Sequence, residues 1–97
     1  MVFFVYILYS PSTERYYVGQ TENLIERLKK HNAAFFDGSS TKAGIPWHIY
    51  YTIECDSRKQ AVGMELHLKK MKSVKYYHSV KSYPEIVEKL RIKYPNQ

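Results

Sequence analysis

Cysteine is almost absent from this sequence of 97 residues, since Cys55 is the only one. A single cysteine excludes an intrachain disulfide and a metal site built from several thiolates, and it fits a reducing compartment. Glycine and proline are also scarce, with four residues of each, while 44% of the residues are hydrophobic. Such a composition is not typical of a disordered chain. We therefore expect a single domain over residues 1–97 of a cytoplasmic protein.

Long hydrophobic runs are missing as well. The apolar run from Val2 to Tyr9 is far shorter than the roughly 20 residues that a membrane-spanning helix needs. The same run lacks the basic residues with which a signal peptide begins. The sequence therefore predicts neither a membrane partner nor a cleaved leader.

Acidic residues are outnumbered, with 9 Asp and Glu against 15 Lys and Arg, which gives a net charge of +6. Such a balance is typical of proteins that bind polyanions, although net charge describes partners and not a fold. Tyrosine, by contrast, is abundant, with 10 residues. A phenol joins an apolar ring to a polar tip, so tyrosines suit surfaces that contact ligands. A patch of them could serve a homodimer or another protein partner as well as a nucleic acid.

The apolar pattern predicts an α/β (α+β) fold with a small, largely antiparallel sheet of three strands, in the order β-β-α-β-α-α. The run Phe3–Tyr9 is apolar at every position, which indicates a strand covered on both faces and hence a central one. Turn residues at 10–14 separate it from a second strand over 15–20, so these two strands form a hairpin. We expect the third strand at Trp47–Glu54, after a long loop over 32–46.

Capping residues and apolar spacing predict three helices. The first is capped by Thr21 and reaches about His31; it buries Leu24, Ile25 and Leu28, and Glu26 can pair with Lys30 on its outside. The second is capped by Asp56 or Ser57 and reaches about Met71; it buries Ala61, Met64, Leu68 and Met71. The last covers about residues 83–93 and buries Ile86, Val87 and Leu90. Residues 72–82 are interpreted as a polar connection.

Two tyrosines, Tyr6 and Tyr17, lie on the two arms of the hairpin. Their side chains share one face of the sheet if the strand register makes them direct or diagonal neighbours, and the sequence does not fix that register. They are either ordinary strand tyrosines at the edge of a core or two phenols that converge on a site. One helical turn separates Arg27 from His31, at the edge of the buried stripe. This pair is either a solvated flank or a phosphate ligand beside a proton donor or acceptor.

Glu65 lies in an apolar sector of the second predicted helix, where a carboxylate needs a partner. One interpretation is an ordinary ion pair with Lys69, four residues later. The other is a Mg²⁺ ion that takes one carboxylate, waters and a substrate phosphate. His48, His67 and His78 have no zinc-ligand spacing, and Cys55 is interpreted as a strand-end residue.

Basic residues are interleaved with aromatic ones after Glu65, which is typical of a nucleic-acid surface and also of a solvated helix end. The candidate contacts to nucleic acid are Lys69, Lys70, Lys72 and Lys75.

The order of these signals along the chain resembles the GIY-YIG nuclease domain. The resemblance rests on Val5-Tyr6-Ile7-Leu8, on Tyr17-Val18-Gly19-Gln20, on Leu24, Arg27, Leu28 and His31, and on Glu65, and it covers a core of about residues 2–72. That family includes homing endonucleases, some restriction enzymes and the incision subunit of a bacterial DNA repair pathway. The sequence looks most like the small stand-alone members.

The resemblance implies a metal-dependent endonuclease of DNA or structured nucleic acid. By position, Glu65 would hold a single Mg²⁺ or Mn²⁺, Tyr6 or Tyr17 would activate the attacking water, and Arg27 and His31 would stabilise charge on the phosphate. Three features depart from the family pattern: no glycine precedes Val5, Val18 replaces the isoleucine of the second signature, and no asparagine occurs between Asn32 and Asn96. A non-catalytic nucleic-acid-binding module and a protein-interaction domain are the alternatives.

Overall fold

The computed structural model describes residues 2–33 and 43–95, and it contains an antiparallel sheet with four helices. The elements in chain order are β1 (Phe3–Ser10), β2 (Arg15–Thr21), α1 (Leu24–Asn32), β3 (His48–Cys55), α2 (Arg58–Met71), α3 (Val74–Ser82) and α4 (Pro84–Lys93). The strand order is β2-β1-β3, so β1 is central, as its two-sided apolar pattern predicts. The predicted fold class and its three strands are confirmed. Most of the predicted loop lies at 34–42, outside the described residues.

Strand β1 divides the buried side chains into two groups, because successive residues of a strand point to opposite faces of the sheet. Val5 and Ile7 belong to a main core that is closed by α2, α3 and α4. Tyr6 and Leu8 belong to a minor core on the other face, together with Trp47 and with Leu24 and Leu28 of α1. Tyr6 and Tyr17, two of the candidate site residues, pack in the minor core, so the alternation along β1 decides that Tyr6 lies on this face.

Helix α1 begins later than Thr21, which was wrongly predicted as its N-cap. Thr21 is the buried last residue of β2, and its hydroxyl accepts a hydrogen bond from the Asn23 amide at 3.1 Å. The N-cap is Asn23, whose side chain accepts from the Glu26 amide. Ile25, two residues after the cap, is 70% exposed, so the predicted burial of Ile25 is wrong as well. The predicted pair of Glu26 with Lys30 is confirmed, at 3.1 Å.

Helix α2 begins after Ser57, one of the two predicted caps, and ends at Met71 as expected. Ala61, Met64 and Leu68 are fully buried, but Met71 is 43% exposed and its predicted burial is wrong. The reason is that the chain turns away at Lys72, in a left-handed conformation with φ of 46°. Tyr77 of α3 fills the core beside Leu68 instead, and its hydroxyl donates to the Leu68 carbonyl at 3.1 Å.

Helix α3 was not predicted, because residues 72–82 were interpreted as a polar connection. Ser73 caps it by accepting from the Tyr76 amide at 3.1 Å. Its buried side consists of Tyr77 and Val80 alone. Two residues three positions apart, within a run of Lys, Tyr, His and Ser, are too weak a pattern to indicate a helix.

Helix α4 follows its prediction, with Pro84 in its first turn, Val87 and Leu90 buried and Ile86 packed against the main core. Beyond its end, the Tyr94 ring lies against Gly63, where an added Cβ would approach the ring to 2.7 Å. His67 of α2 joins this region to α3, because its Nδ1 bonds the Tyr94 hydroxyl and its Nε2 the Tyr76 hydroxyl, both at 3.1 Å.

Across residues 2–33 and 43–95, no helix combines the length and the apolar character that crossing a membrane requires.

The His67 network makes the stability of the fold depend on pH. Burial, with Lys93 and Lys70 nearby, lowers the pKa of His67 below its usual 6.5. The unfolded chain therefore binds the proton more readily, and this part of the stability is lost as the pH falls below about 6.5. We expect the urea midpoint to decrease from pH 7.5 to 5.5, and to decrease less in His67→Gln. The exposed His48→Gln is the control and should keep the wild-type dependence on pH. An unchanged pH dependence in His67→Gln would contradict the assignment.

Candidate active site

The hairpin brings Tyr6 and Tyr17 to the same face of the sheet. Tyr6 lies opposite Gly19, and Leu8 lies opposite Tyr17, so the two tyrosines are diagonal neighbours with their side chains on one side. Both pack in the minor core, where the Tyr17 ring centroid lies 6.3 Å from that of Trp47. Tyr6 is only 2% exposed, whereas Tyr17 is half-buried and keeps an accessible surface.

Gly19 provides the space that the Tyr6 phenol occupies. A Cβ built on Gly19 would overlap the hydroxyl of Tyr6 and would lie 2.5 Å from its Cζ. The phenol is therefore seated directly on the β2 backbone, and any side chain at position 19 would push it away. Gly19 belongs to the motif Tyr17-Val18-Gly19-Gln20, and the close approach of Tyr6 is the steric reason for a glycine at this position.

Helix α1 supplies Arg27 and His31 to the same place. His31 is buried, and its Nε2 is joined to the Tyr6 hydroxyl by a hydrogen bond of 3.2 Å. Its ring centroid lies 6.0 Å from that of Tyr6 and 4.9 Å from that of Tyr17, both in edge-on geometry. Arg27 lies one turn earlier, and its positive charge acts on the Tyr6 phenol. His31 thus joins α1 to the hairpin at the Tyr6 hydroxyl, with Arg27 nearby.

Burial dominates the electrostatics of this cluster. It raises the pKa of the Tyr6 phenol well above its usual range; the positive charge of Arg27 opposes the shift, and Tyr17 and Glu65 add to it. Burial also lowers the pKa of His31, and the neighbouring Arg27 lowers it further. At neutral pH the site therefore contains a protonated phenol and a neutral imidazole around a guanidinium that stays charged.

Glu65 reaches the cluster from α2. Its side chain is 15% exposed, and its charge lies close enough to contribute to the pKa shift of Tyr6. The ion pair with Lys69 also exists, at 2.9 Å, and the Lys69 ammonium lies 5.9 Å from the centroid of the Tyr17 ring. The two interpretations of Glu65 are thus not exclusive, because the carboxylate is paired with Lys69 while its charge still acts on Tyr6.

The donor set can be compared with the needs of a divalent metal. Within the described residues, no group of three or more His, Cys, Asp or Glu side chains could hold an ion. Mg²⁺, however, commonly takes one or two carboxylates and completes its shell with waters and substrate phosphates. Glu65 is a largely buried carboxylate, and its charge acts on the same phenol as that of Arg27, a residue type suited to phosphate, so it fits that kind of site. It does not fit a site built from protein ligands alone.

Sequence analysis missed a brace between Asn32 and Trp47. The Trp47 amide donates to Asn32 Oδ1 at 2.6 Å, and Asn32 Nδ2 donates to the Trp47 carbonyl at 3.1 Å. The brace fixes the end of α1, next to His31, to the residue before β3. A local pattern could not indicate it, since the two residues are 15 positions apart.

The four candidate lysines do not form one surface. Lys69 and Lys72 line a groove beside β2 that also contains Tyr17. Lys70 lines a separate depression together with His67 and Tyr94. Lys75 lines a third, near Tyr83. All four are exposed. Of the four, only Lys69 and Lys72 line the groove that contains Tyr17, and so lie beside the tyrosine cluster of Tyr6 and Tyr17.

Comparison with known proteins gives a consistent result. A family model described as the GIY-YIG catalytic domain matches residues 2–77. The solution NMR structure of the UPF0213 protein BH0048 from Bacillus halodurans is similar to this chain, with 27% identity, 84% of each chain covered and a TM-score of 0.50. No curated protein matches the sequence.

The seat of Tyr6 on Gly19 predicts a strong energetic coupling between these residues. Gly19→Ala should lower the free energy of unfolding by about 1–3 kcal/mol, because the new methyl group displaces the phenol. In a Tyr6→Leu background the same change should cost at least about 1 kcal/mol less. Urea denaturation of the wild type, both single variants and the double variant measures this coupling. Additive costs would show that the phenol does not occupy this space.

Proposed function

The chain belongs to the GIY-YIG catalytic domain family, and on that premise we propose that it is a divalent-metal-dependent endonuclease of DNA or structured nucleic acid. One observation carries the proposal: two phenols, a guanidinium, an imidazole and a carboxylate from four separate elements lie close enough together to act on the Tyr6 phenol by contact or by charge. They are Tyr6, Tyr17, Arg27, His31 and Glu65. A core that needed only stability would gain little from assembling so many polar groups.

Arg27 is assigned to the phosphate. Its guanidinium stays charged at any working pH, and it lies near the Tyr6 phenol, on which its charge acts. A guanidinium can hold two phosphate oxygens and stabilise the extra negative charge that develops as the water attacks.

Tyr17, and not Tyr6, is assigned to the attacking water. Tyr6 is buried, and burial raises its pKa, so it has neither access to a water nor a tendency to lose its proton. Tyr17 is half-buried and borders an open groove. Tyr6 then acts as a positioning residue, and His31, which is as buried as Tyr6 and bonded to its hydroxyl, holds the phenol in place as a neutral imidazole.

Glu65 is the residue that would hold Mg²⁺ or Mn²⁺, and a bound ion would polarise the phosphate and stabilise its charge. In the structure Lys69 neutralises this carboxylate. The ammonium of Lys69 is about half exposed, so it can leave Glu65 and turn to a substrate phosphate. Lys69, Lys70, Lys72 and Lys75 are assigned to the nucleic-acid backbone, where each contact contributes salt-dependent affinity.

The pair of Glu65 with Lys69 also favours a second candidate function, a non-catalytic nucleic-acid-binding module. If the pair persists when nucleic acid binds, no carboxylate remains for a metal. Binding would then depend on salt but not on a divalent ion.

Cleavage of DNA distinguishes the two functions. We expect the wild type to cut a mixture of duplex, branched and single-stranded DNA in Mg²⁺ or Mn²⁺, and to stop in chelator. Glu65→Gln should lower the rate at least about 100-fold, as does the loss of one group aimed at the developing charge. Its fold should be retained, since the side chain keeps its size.

Glu88→Gln is the matched control, because Glu88 is an exposed carboxylate paired with Arg91 on α4. It should cut like the wild type. Metal-independent cutting, or equal rates in Glu65→Gln and Glu88→Gln, would remove Glu65 from the mechanism. DNA binding without any cutting by folded wild type would support the binding module.

A further inference from the structure

A groove of about 510 Å³ lies along β2, next to the tyrosine cluster. Strand β2 is at the edge of the sheet, so this side of it is not covered by another strand. The groove is lined by Tyr17 and Val18 of β2 and by Val74 and Tyr77 of α3. Its floor is therefore largely apolar and aromatic, which suits the flat face of a ring.

Positive charge surrounds this apolar floor. Arg15, Lys69 and Lys72 line the groove against a single carboxylate, that of Glu14. A ligand with a flat apolar part and a negatively charged part matches this lining.

The groove is continuous with the candidate active site. Tyr17 belongs to both, and the Lys69 ammonium that lines the groove also bonds Glu65 at 2.9 Å. A group bound in the groove would thus be a direct neighbour of the phosphodiester that the site is proposed to cut.

From these observations we propose that the groove receives one unpaired nucleobase, that of the nucleotide beside the cut phosphodiester. The base stacks against the aromatic and apolar floor, and Arg15 and Lys72 contact the adjoining phosphates. A base inside a duplex must first be unstacked and unpaired, which costs free energy, so the favoured substrates are nucleic acids with unpaired nucleotides, as in single strands, bulges and branches. This inference rests on the proposed function, since it names the substrate class of the same site.

The open edge of β2 raises the alternative of a protein occupant, because an unpaired strand edge can accept a strand from a peptide or a second copy of the chain. The lining favours nucleic acid instead. A second copy carries a net charge of +6 and would bring like charge to a cationic rim.

Binding measured in chelator tests the groove without cutting. The probes are a fluorescein-labelled 12-nucleotide single strand and the blunt duplex of the same sequence, followed by fluorescence anisotropy. Val74→Glu places a carboxylate in the groove, at the first turn of α3, where a negative charge does not weaken a helix. Ile92→Glu is the matched control, since it makes the same change of charge at an exposed apolar residue of α4 that lines no part of the groove.

We expect Val74→Glu to weaken binding of the single strand about ten-fold more than Ile92→Glu does, as is usual for the loss of one stacked base. Duplex affinity should fall equally in both variants, through net charge alone. Thermal unfolding should give both variants midpoints near that of the wild type. Equal single-strand affinities in folded Val74→Glu and Ile92→Glu would overturn the proposal. So would a change of oligomeric state confined to Val74→Glu, which would assign the groove to a second copy.

Cleavage in Mg²⁺ by the same preparations separates this proposal from the proposed function. If the wild type cuts and the two variants do not differ on any substrate, the proposed role of the groove is wrong and the proposed nuclease activity still stands. Single-strand binding that depends on Val74, without cutting, supports the groove and contradicts the nuclease.

Discussion

The seating of the Tyr6 phenol on the backbone of Gly19 is the constraint on which the rest of the site depends. Strand β1 is central and apolar on both faces, so its alternation sends Tyr6 into the minor core while Val5 and Ile7 anchor the main one. The space at Gly19 admits the phenol, whose hydroxyl bonds His31 of α1 and lies near the charge of Arg27. A buried hydroxyl needs a partner, and here the partner comes from the helix that also carries Arg27, the residue proposed to bind phosphate. The same contacts therefore stabilise the minor core and position the proposed site.

Glu65 illustrates why a structural contact does not exclude a functional one. Its bond to Lys69 joins a largely buried carboxylate to a half-exposed ammonium. Lys69 is half-exposed and keeps part of its charge in water, so a divalent ion that binds Glu65, or a phosphate that binds Lys69, can take the place of this contact. Lys69 also links the cluster to the groove beside β2, so recognition and cutting would share one side chain.

Elements with a local sequence pattern were predicted correctly, whereas features of the fold that depend on tertiary contacts were not. The two-sided apolar run of β1 and the apolar spacing of α2 were sufficient to predict those elements. Helix α3 buries only Tyr77 and Val80 and gave no comparable pattern. Thr21 and Asn23 are both residue types that cap helices. Asn23 is the N-cap because β2 continues to Thr21, and the sequence alone does not show where β2 ends. The predicted burial of Met71 failed because Tyr77 arrives from another helix. Of the site, the five side chains were named from a family resemblance, whereas their register, the space at Gly19 and the brace of Asn32 to Trp47 required the fold.

Paramagnetic broadening by Mn²⁺ in NMR spectra of the isotope-labelled protein tests the central claim most directly, because it locates a divalent ion without any substrate. The account predicts that low Mn²⁺ concentrations broaden the amide signals of Tyr6, Tyr17 and Glu65 first. Glu65→Gln should abolish this broadening, and Glu88→Gln should leave it unchanged. Broadening that persists in Glu65→Gln, or that centres on other carboxylates such as Glu54 and Asp56, would contradict the assignment of Glu65 as the metal-binding residue of this site.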